Sequence, residues 1–189
     1  GTTLLGVALF GSVLLHELGH ALTARHFGID TQSITLYPFG GIAALTAEPQ
    51  TPRAELWIAI AGPLVNFALA AIAAPLALLA VPGAALFAGM NLVLGLFNLL
   101  PAFPMDGGRV LRAWLSRTRD NTSATEIALN VSRWFAWGFI ALGLFASPNL
   151  LLIGGFLLFA VGAERRRLAA RQQWQSHAIG HTGWEHPAY

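Results

Sequence analysis

An all-α, polytopic membrane protein is the fold class that the sequence predicts, and three observations carry that prediction. Of the 189 residues, 55% are hydrophobic and only 11% are charged. Soluble domains carry roughly 25% charged residues, so this chain has too little polar surface for a globule in water. Its apolar residues are also gathered in runs close to the ~20 residues that a membrane-spanning helix needs. Thirdly, its basic residues fall in only some of the connections between these runs.

Five apolar runs are candidate transmembrane helices. They lie at residues 3–27, 54–81, 84–100, 128–146 and 149–164. The pair Pro82-Gly83 separates the second run from the third, and Ser147-Pro148-Asn149 separates the fourth from the fifth. Such residues mark turns, which supports treating the runs as separate helices.

The connections between the runs predict two further features. Residues 28–53 alternate polar and apolar side chains in places and contain Pro-Phe-Gly-Gly, which is typical of a short β-hairpin, here at 34–44. Residues 101–127 are rich in proline, glycine and arginine, with room for a short surface helix near 109–115. Three consecutive arginines follow residue 164. We therefore divide the chain into a transmembrane core at 1–164 and a cytoplasmic polar tail at 165–189.

The arginines predict the orientation. The chain has no lysine, and threading five helices alternately places all eleven arginines on one side of the bilayer. The positive-inside bias makes that side cytoplasmic, in a multi-pass protein of the plasma or inner membrane. Gly1 then falls on the opposite side, so we expect one further helix before residue 1. A net charge of only +2 argues against a nucleic-acid partner, and the absence of cysteine excludes disulfides and thiolate metal ligands.

The sequence His-Glu-Leu-Gly-His at residues 16–20 lies inside the first apolar run. His16 and His20 are four residues apart, so on a helix both imidazoles can bind one zinc ion. Glu17 would then lie beside the metal, where a carboxylate can act as the general base for a water molecule. Charged groups inside a membrane helix cost at least ~2.5–3.5 kcal/mol on insertion scales, which favours a functional role over a chance string.

A catalytic zinc site takes a third protein ligand, and Asp106 is the best candidate for it. The alternatives Asp30, Glu48, Glu55 and Glu126 lie in a loop or at the starts of helices. Asp106 lies in Asn-Leu-Leu-Pro-Ala-Phe-Pro-Met-Asp-Gly-Gly at 98–108, where the prolines prevent a helix and the glycines after the aspartate free the backbone. Irregular backbone at membrane depth is tolerated where it lines a buried cavity. We expect Asp106 to reach the histidines from the cytoplasmic side.

Two asparagines are candidates for binding the substrate. Asn66 follows Gly62-Pro63 in the second apolar run, and Asn98 precedes the proline-rich segment. Either amide could donate a hydrogen bond to a substrate carbonyl or to the oxyanion formed from it. Hydrogen bonding between helices is the alternative for both residues. Asn91, which lies in no motif, is interpreted as structural.

Three motifs in this order resemble the site-2 protease family of intramembrane zinc metalloproteases. They are His-Glu-Leu-Gly-His at 16–20, Gly-Pro-Leu-Val-Asn at 62–66 and residues 98–108, where Met105 replaces the usual leucine. The segment 34–44 is similar to the hairpin in the branch related to the sporulation pro-sigma-factor protease. The resemblance implies zinc ligands at His16, His20 and Asp106, with Glu17 activating water.

The resulting hypothesis is an intramembrane zinc endopeptidase, active toward the cytoplasmic side. It would cleave a peptide bond in or near the transmembrane segment of another membrane protein, and the resemblance implies a membrane-tethered regulator such as an anti-sigma or pro-sigma factor. Two rivals remain: a divalent-metal transporter and a metal-binding scaffold without catalysis. Polar residues confined to one half of the membrane argue against the first rival, and the intact Glu17 argues against the second.

Overall fold

The computed structural model describes residues 2–37, 40–45, 49 and 51–181. Within these residues the chain forms six helices and two strands. The elements are α1 (Thr2–His26), β1 (Thr31–Tyr37), β2 (Gly40–Leu45), α2 (Pro52–Leu78), α3 (Ala84–Asn98), α4 (Asp106–Leu115), α5 (Asn121–Phe145) and α6 (Pro148–His181).

Four of the described helices are long and apolar enough to cross a membrane. These candidate spans are Gly6–His26, Pro52–Leu78, Asn121–Phe145 and Pro148–Ala170. Many large apolar side chains are exposed, as a lipid-facing surface requires; Leu78 is 88% exposed and Phe145 is 92% exposed. The chain is therefore a multi-pass membrane protein.

The predicted count of five spans is only partly supported. The third run is a helix, but α3 has 15 residues and is about 22 Å long at 1.5 Å per residue. A bilayer core is about 30 Å thick. The helix ends at Asn98 rather than at residue 100, because the residue before Pro101 is disfavoured in the α conformation.

The polar ends of two helices extend beyond the apolar runs. Helix α5 begins at Asn121 because the Asp120 carboxylate caps it, accepting a hydrogen bond of 2.9 Å from the Ser123 N–H. Helix α6 continues past residue 164 to His181. Its polar half is rich in Ala, Arg and Gln, which are strong helix formers. The division of the chain at 164/165 stays a prediction.

Strands β1 and β2 pair antiparallel in the connection where the sequence predicts a hairpin. Tyr37 pairs with Gly40, and the register is irregular between Thr31 and Ser33. Residues 38 and 39, between the strands, lie outside the described residues. Strand β2 contacts α1, so the sheet lies against the helix that carries His16 and His20.

Helix α2 is the centre of the packing. It contacts α1, α3 and α4, whereas α5 packs mainly on α6 and also contacts α4. Ala24 and Ile29 pack against Ile58 of α2 in one buried cluster, and Phe103 packs against Leu129 and Val161 in another. The functional residues of the sequence analysis all lie on α1, α2, α3 or the start of α4.

The segment before α4 corrects one expectation. The two glycines do not free the backbone after Asp106, because α4 begins at Asp106 and both glycines belong to its first turn. A Cβ on Gly107 would collide with the backbone of Leu99 and Leu100, so glycine there allows α4 to start against the end of α3. The irregular backbone ahead of it is held by Ser132, whose hydroxyl accepts the Phe103 N–H at 2.8 Å.

Candidate metal centre

Three buried side chains from α1 and α4 converge on one point. His16 and His20 face the same side of α1, and their Nε2 atoms are 3.1 Å apart. The Oδ2 atom of Asp106 lies 3.1 Å from Nε2 of His16 and 3.2 Å from Nε2 of His20. All three residues are buried, with at most 9% of their surface exposed. The structure thus brings together the two histidines and the aspartate that the sequence singles out.

The donor set fits a zinc ion. Among the described residues, His16, His20 and Asp106 form the group of histidine and acidic side chains close enough to share a metal. Tetrahedral ligands at ~2.0–2.1 Å from zinc are about 3.3 Å from one another, close to the three distances in this group. Two imidazoles and one carboxylate are also a ligand set that catalytic zinc sites use, with a fourth position open.

Both imidazoles are oriented by hydrogen bonds at their other ring nitrogen. Nδ1 of His20 donates to the backbone carbonyl of Ile58 at 2.7 Å. Nδ1 of His16 is 2.5 Å from the side-chain oxygen of Asn66. Because both partners are oxygen acceptors, the ring protons lie on Nδ1 and each Nε2 presents its lone pair to the shared point. Both acceptors belong to α2.

The charge state of the third group also suits a ligand. An aspartic acid side chain ordinarily titrates at about pH 4, and a divalent cation beside it favours the charged form further. The group is therefore a charged oxygen donor at neutral pH. A carboxylate between two histidines balances part of a divalent charge in a buried site.

The remaining acidic candidates lie elsewhere. Glu17 is buried next to His16 on α1 and is not one of the three converging groups. Asp30 and Glu126 are exposed, and Glu55 pairs with Arg112. Glu48 lies outside the described residues. The structure therefore offers no competitor to Asp106 among the acidic residues that it describes.

The two asparagines that are candidates for binding the substrate have different surroundings. Asn66 is fully buried and contacts His16 and Asn91, which favours the alternative of hydrogen bonding between helices. Asn98 is half-buried near the end of α3, and one of its amide N–H groups donates to the Leu94 carbonyl at 3.1 Å. Asn91 is also fully buried, and its side-chain oxygen accepts a hydrogen bond from the Asn66 amide, a contact that the sequence analysis did not predict.

A buried ion pair ties α4 to the start of α2. The Arg112 Nε donates to Glu55 Oε1 at 2.7 Å, and its guanidinium also lies 6.0 Å from the centre of the Phe103 ring. The Glu55 side chain is 9% exposed and that of Arg112 is 22% exposed. The pair thus holds the helix that begins at Asp106 against the helix that orients both histidines.

Arg112→Met is expected to lower the free energy of unfolding by about 2–3 kcal/mol, because it leaves Glu55 buried without its partner; the value is below that of a fully buried pair because Arg112 is partly exposed. The double variant Glu55→Leu/Arg112→Met should recover most of this loss. Unfolding in detergent measures both, with the exposed Arg133→Met as the matched control. Equal stability of Arg112→Met and Arg133→Met would contradict the role of the pair.

Fold and site together define a polytopic membrane protein with a buried candidate metal centre of two histidines and one carboxylate. A family model described as "Peptidase family M50" matches residues 4–86 and 80–139, which together cover more than half of the chain. The chain belongs to peptidase family M50, the site-2 protease family, and the resemblance found in its motifs is confirmed.

Individual relatives agree with this assignment. The chain is 40% identical over 165 residues to "Zinc metalloprotease MJ0392" of Methanocaldococcus jannaschii, covering 84% of this chain and 48% of the relative. It is 34% identical over 153 residues to "Stage IV sporulation protein FB" of Bacillus subtilis, covering 79% and 48%. The chain thus spans about half the length of these two relatives.

A solved structure shares the fold. The "Site-2 Protease from Methanocaldococcus jannaschii" superposes with a TM-score of 0.70 at 38% sequence identity. The match covers 84% of this chain and 76% of the solved chain. Fold and sequence therefore point to the same family.

Proposed function

We propose that this chain is an intramembrane zinc endopeptidase that hydrolyses a peptide bond in or near the transmembrane segment of another membrane protein. The observation that carries the proposal is the buried convergence of His16, His20 and Asp106, next to Glu17. The two histidines lie on α1 and contact α2, and both of these helices are long and apolar enough to span a membrane. Relatives named zinc metalloproteases, and the structural likeness to a site-2 protease, support the same conclusion.

Each residue has a stated role in this reaction. His16, His20 and Asp106 would hold the zinc ion. When bound, zinc supplies a Lewis acid that polarises the scissile carbonyl and makes water a better nucleophile near neutral pH. Glu17 takes the proton of the attacking water and delivers it to the leaving amine nitrogen as the carbon–nitrogen bond breaks. Asn98 is the candidate donor to the oxyanion, because its amide nitrogen carries a second N–H beyond the one bonded to Leu94.

The substrate we propose is a helical membrane segment that must unwind before cleavage, because a helix buries its amides in its own hydrogen bonds. The hairpin of β1 and β2 lies against α1 and offers sheet edges to an extended chain. Strand addition to such an edge is a common mode of peptide recognition. A membrane-tethered regulator, such as an anti-sigma or pro-sigma factor, fits this description.

The orientation that we propose places the site toward the cytoplasmic face of the cell membrane. Arg25 lies in the last turn of α1, Arg53 lies in the first turn of α2, and Arg109 and Arg112 lie in α4. Four more arginines follow residue 164 on α6, at positions 165, 166, 167 and 171. All of these lie on the same side if α3 crosses the bilayer, and the positive-inside bias makes that side cytoplasmic.

Zinc titration tests the ligand set. We expect the parent to bind one zinc ion per chain and Asp106→Ala to lower the affinity by about 100-fold or more, above the ~10–100-fold loss typical of an outer partner. Asp30→Ala removes an exposed carboxylate and is the matched control. A cleavage assay with a transmembrane test substrate, reconstituted in vesicles, should show activity lost on chelation and restored by zinc.

Two outcomes would contradict the proposal. Parent-like zinc affinity in Asp106→Ala would remove Asp106 from the ligand set. Zinc passage across the vesicle membrane without any cleavage of the test substrate would favour the transporter instead.

A further inference from the structure

A chain of buried side-chain hydrogen bonds leads from the metal centre to α3. The Nδ1 of His16 is 2.5 Å from Asn66 Oδ1, and Asn66 Nδ2 donates to Asn91 Oδ1 at 3.1 Å. Asn91 Nδ2 in turn donates to the Phe87 carbonyl of its own helix at 3.0 Å. Both asparagines have 0% of their surface exposed. These hydrogen bonds therefore connect α1, α2 and α3 at positions that are buried from water.

The donor and the acceptor in each of these hydrogen bonds are determined by the next bond in the series, counted from His16 toward Phe87. The Phe87 carbonyl is an acceptor only, so the amide nitrogen of Asn91 must point toward it and its oxygen toward Asn66. That oxygen requires a donor, which places the Asn66 nitrogen on the Asn91 side and the Asn66 oxygen on the His16 side. His16 must then carry its proton on Nδ1. The carbonyl of α3 thus determines, through two amides, which nitrogen of His16 is free for a metal.

We propose that Asn91 and Asn66 are positioning residues that hold His16 in the Nδ1-protonated tautomer, with Nε2 directed at the zinc ion. This inference rests on the proposed function, since it gives α3 a role in the metal centre. Partners at the second nitrogen of a ligating histidine fix its tautomer and ring orientation. For His20 the backbone carbonyl of Ile58 does this directly, so His16 is the ligand whose orientation depends on side chains.

A purely structural role would have different consequences. If the two asparagines only joined α2 to α3, replacing them would lower the stability of the metal-free protein and leave zinc affinity unchanged. A positioning role requires the zinc affinity itself to change. The size of the change should depend on how close each asparagine stands to His16 in the series of hydrogen bonds. Asn66, which contacts His16, should matter more than Asn91, which acts only through Asn66.

The experiment compares near-isosteric variants of the full chain in detergent. Zinc affinity is measured by chelator competition, and the ligand field by the visible absorption of the Co²⁺-substituted protein. We expect Asn66→Leu to weaken zinc binding by about 10–100-fold and Asn91→Leu by less. The double variant should match Asn66→Leu, because residues of one network are not additive. Both single Leu variants should shift the Co²⁺ bands.

Asn91→Asp and Thr125→Val are the controls. A buried, protonated aspartic acid side chain has one acceptor and one donor, so in Asn91→Asp it can replace both hydrogen bonds of the asparagine, and this variant should keep the parent's zinc affinity. Thr125 is buried on α5 and donates to the Asn121 carbonyl at 2.7 Å. Its replacement by valine removes a comparable bond away from the site and should leave affinity and Co²⁺ bands unchanged.

Each outcome decides between the two roles. Parent-like zinc affinity in both Asn66→Leu and Asn91→Leu would overturn the inference while leaving the proposed function intact. Equal losses in Asn91→Leu and Asn91→Asp would also overturn it. If Asn66→Leu does not fold, the comparison of the two Asn91 variants alone decides. A parent that binds no zinc would instead contradict the proposed function.

Discussion

Glu17→Gln is expected to lower the rate of peptide-bond hydrolysis by about 10²–10⁴-fold, the usual contribution of a general base, with little change in zinc affinity. The amide has the size of the carboxylate but cannot accept a proton from water. Glu17 is not one of the three groups that converge on the metal position, so its replacement leaves the donor set of His16, His20 and Asp106 complete.

The measurement pairs cleavage of a transmembrane test substrate with zinc content of the same purified sample. Glu126→Gln makes the same chemical change on an exposed position of α5 and should retain both activity and metal. Retained cleavage in Glu17→Gln would exclude the general-base role. Loss of zinc together with cleavage would show instead that Glu17 maintains the metal centre.

The membrane class and the order of the helices could be predicted from the sequence, because long apolar runs have few other solutions. The helix bounds could not be predicted equally well. Hydropathy misses polar turns such as the one that Asp120 caps at the start of α5 and the arginine-rich half of α6. It also misses the effect of Pro101, which ends α3 early and leaves it shorter than a bilayer is thick.

The three metal-binding candidates could be named from the sequence because their chemistry is rare in an apolar chain. Their surroundings could not. The sequence shows that His16 and His20 share a face of α1, but not that Ile58 and Asn66 of α2 accept from their rings. Asn91 carries no motif, and its role follows only from the contact between α2 and α3. The pairing of Glu55 with Arg112, 57 positions apart, is equally a product of the fold.

One regularity of α2 does connect sequence and site. Ile58, Gly62 and Asn66 are spaced by four residues, so they lie along one face of the helix. The first and last of them hold the rings of His20 and His16. Gly62 lies between them, where a Cβ would meet Nε2 of His16 at 2.6 Å and would also overlap the His20 ring. The absence of a side chain at Gly62 leaves the space in which the two imidazoles come together.

Gly62→Ala is therefore expected to abolish zinc binding while the helices still form. Contacts below 3.0 Å do not occur at real Cβ atoms, so either the rings or α2 must move. The imidazole rings move more easily than helix α2. Their movement breaks their hydrogen bonds to Asn66 and Ile58 and separates them from Asp106. We expect zinc affinity to fall beyond the ~10–100-fold loss that follows removal of one outer hydrogen bond, because both histidines are displaced together.

Gly138→Ala is the matched control, since a Cβ at Gly138 in α5 would have nothing within 4 Å. That variant should bind zinc like the parent and be slightly more stable, because alanine is favoured over glycine in a helix by roughly 0.8–1.0 kcal/mol. Zinc titration and helical circular dichroism of both variants provide the comparison. If Gly62→Ala binds zinc as tightly as Gly138→Ala, the imidazoles do not meet opposite Gly62 in the metal-bound protein, and α2 does not shape the metal centre as inferred.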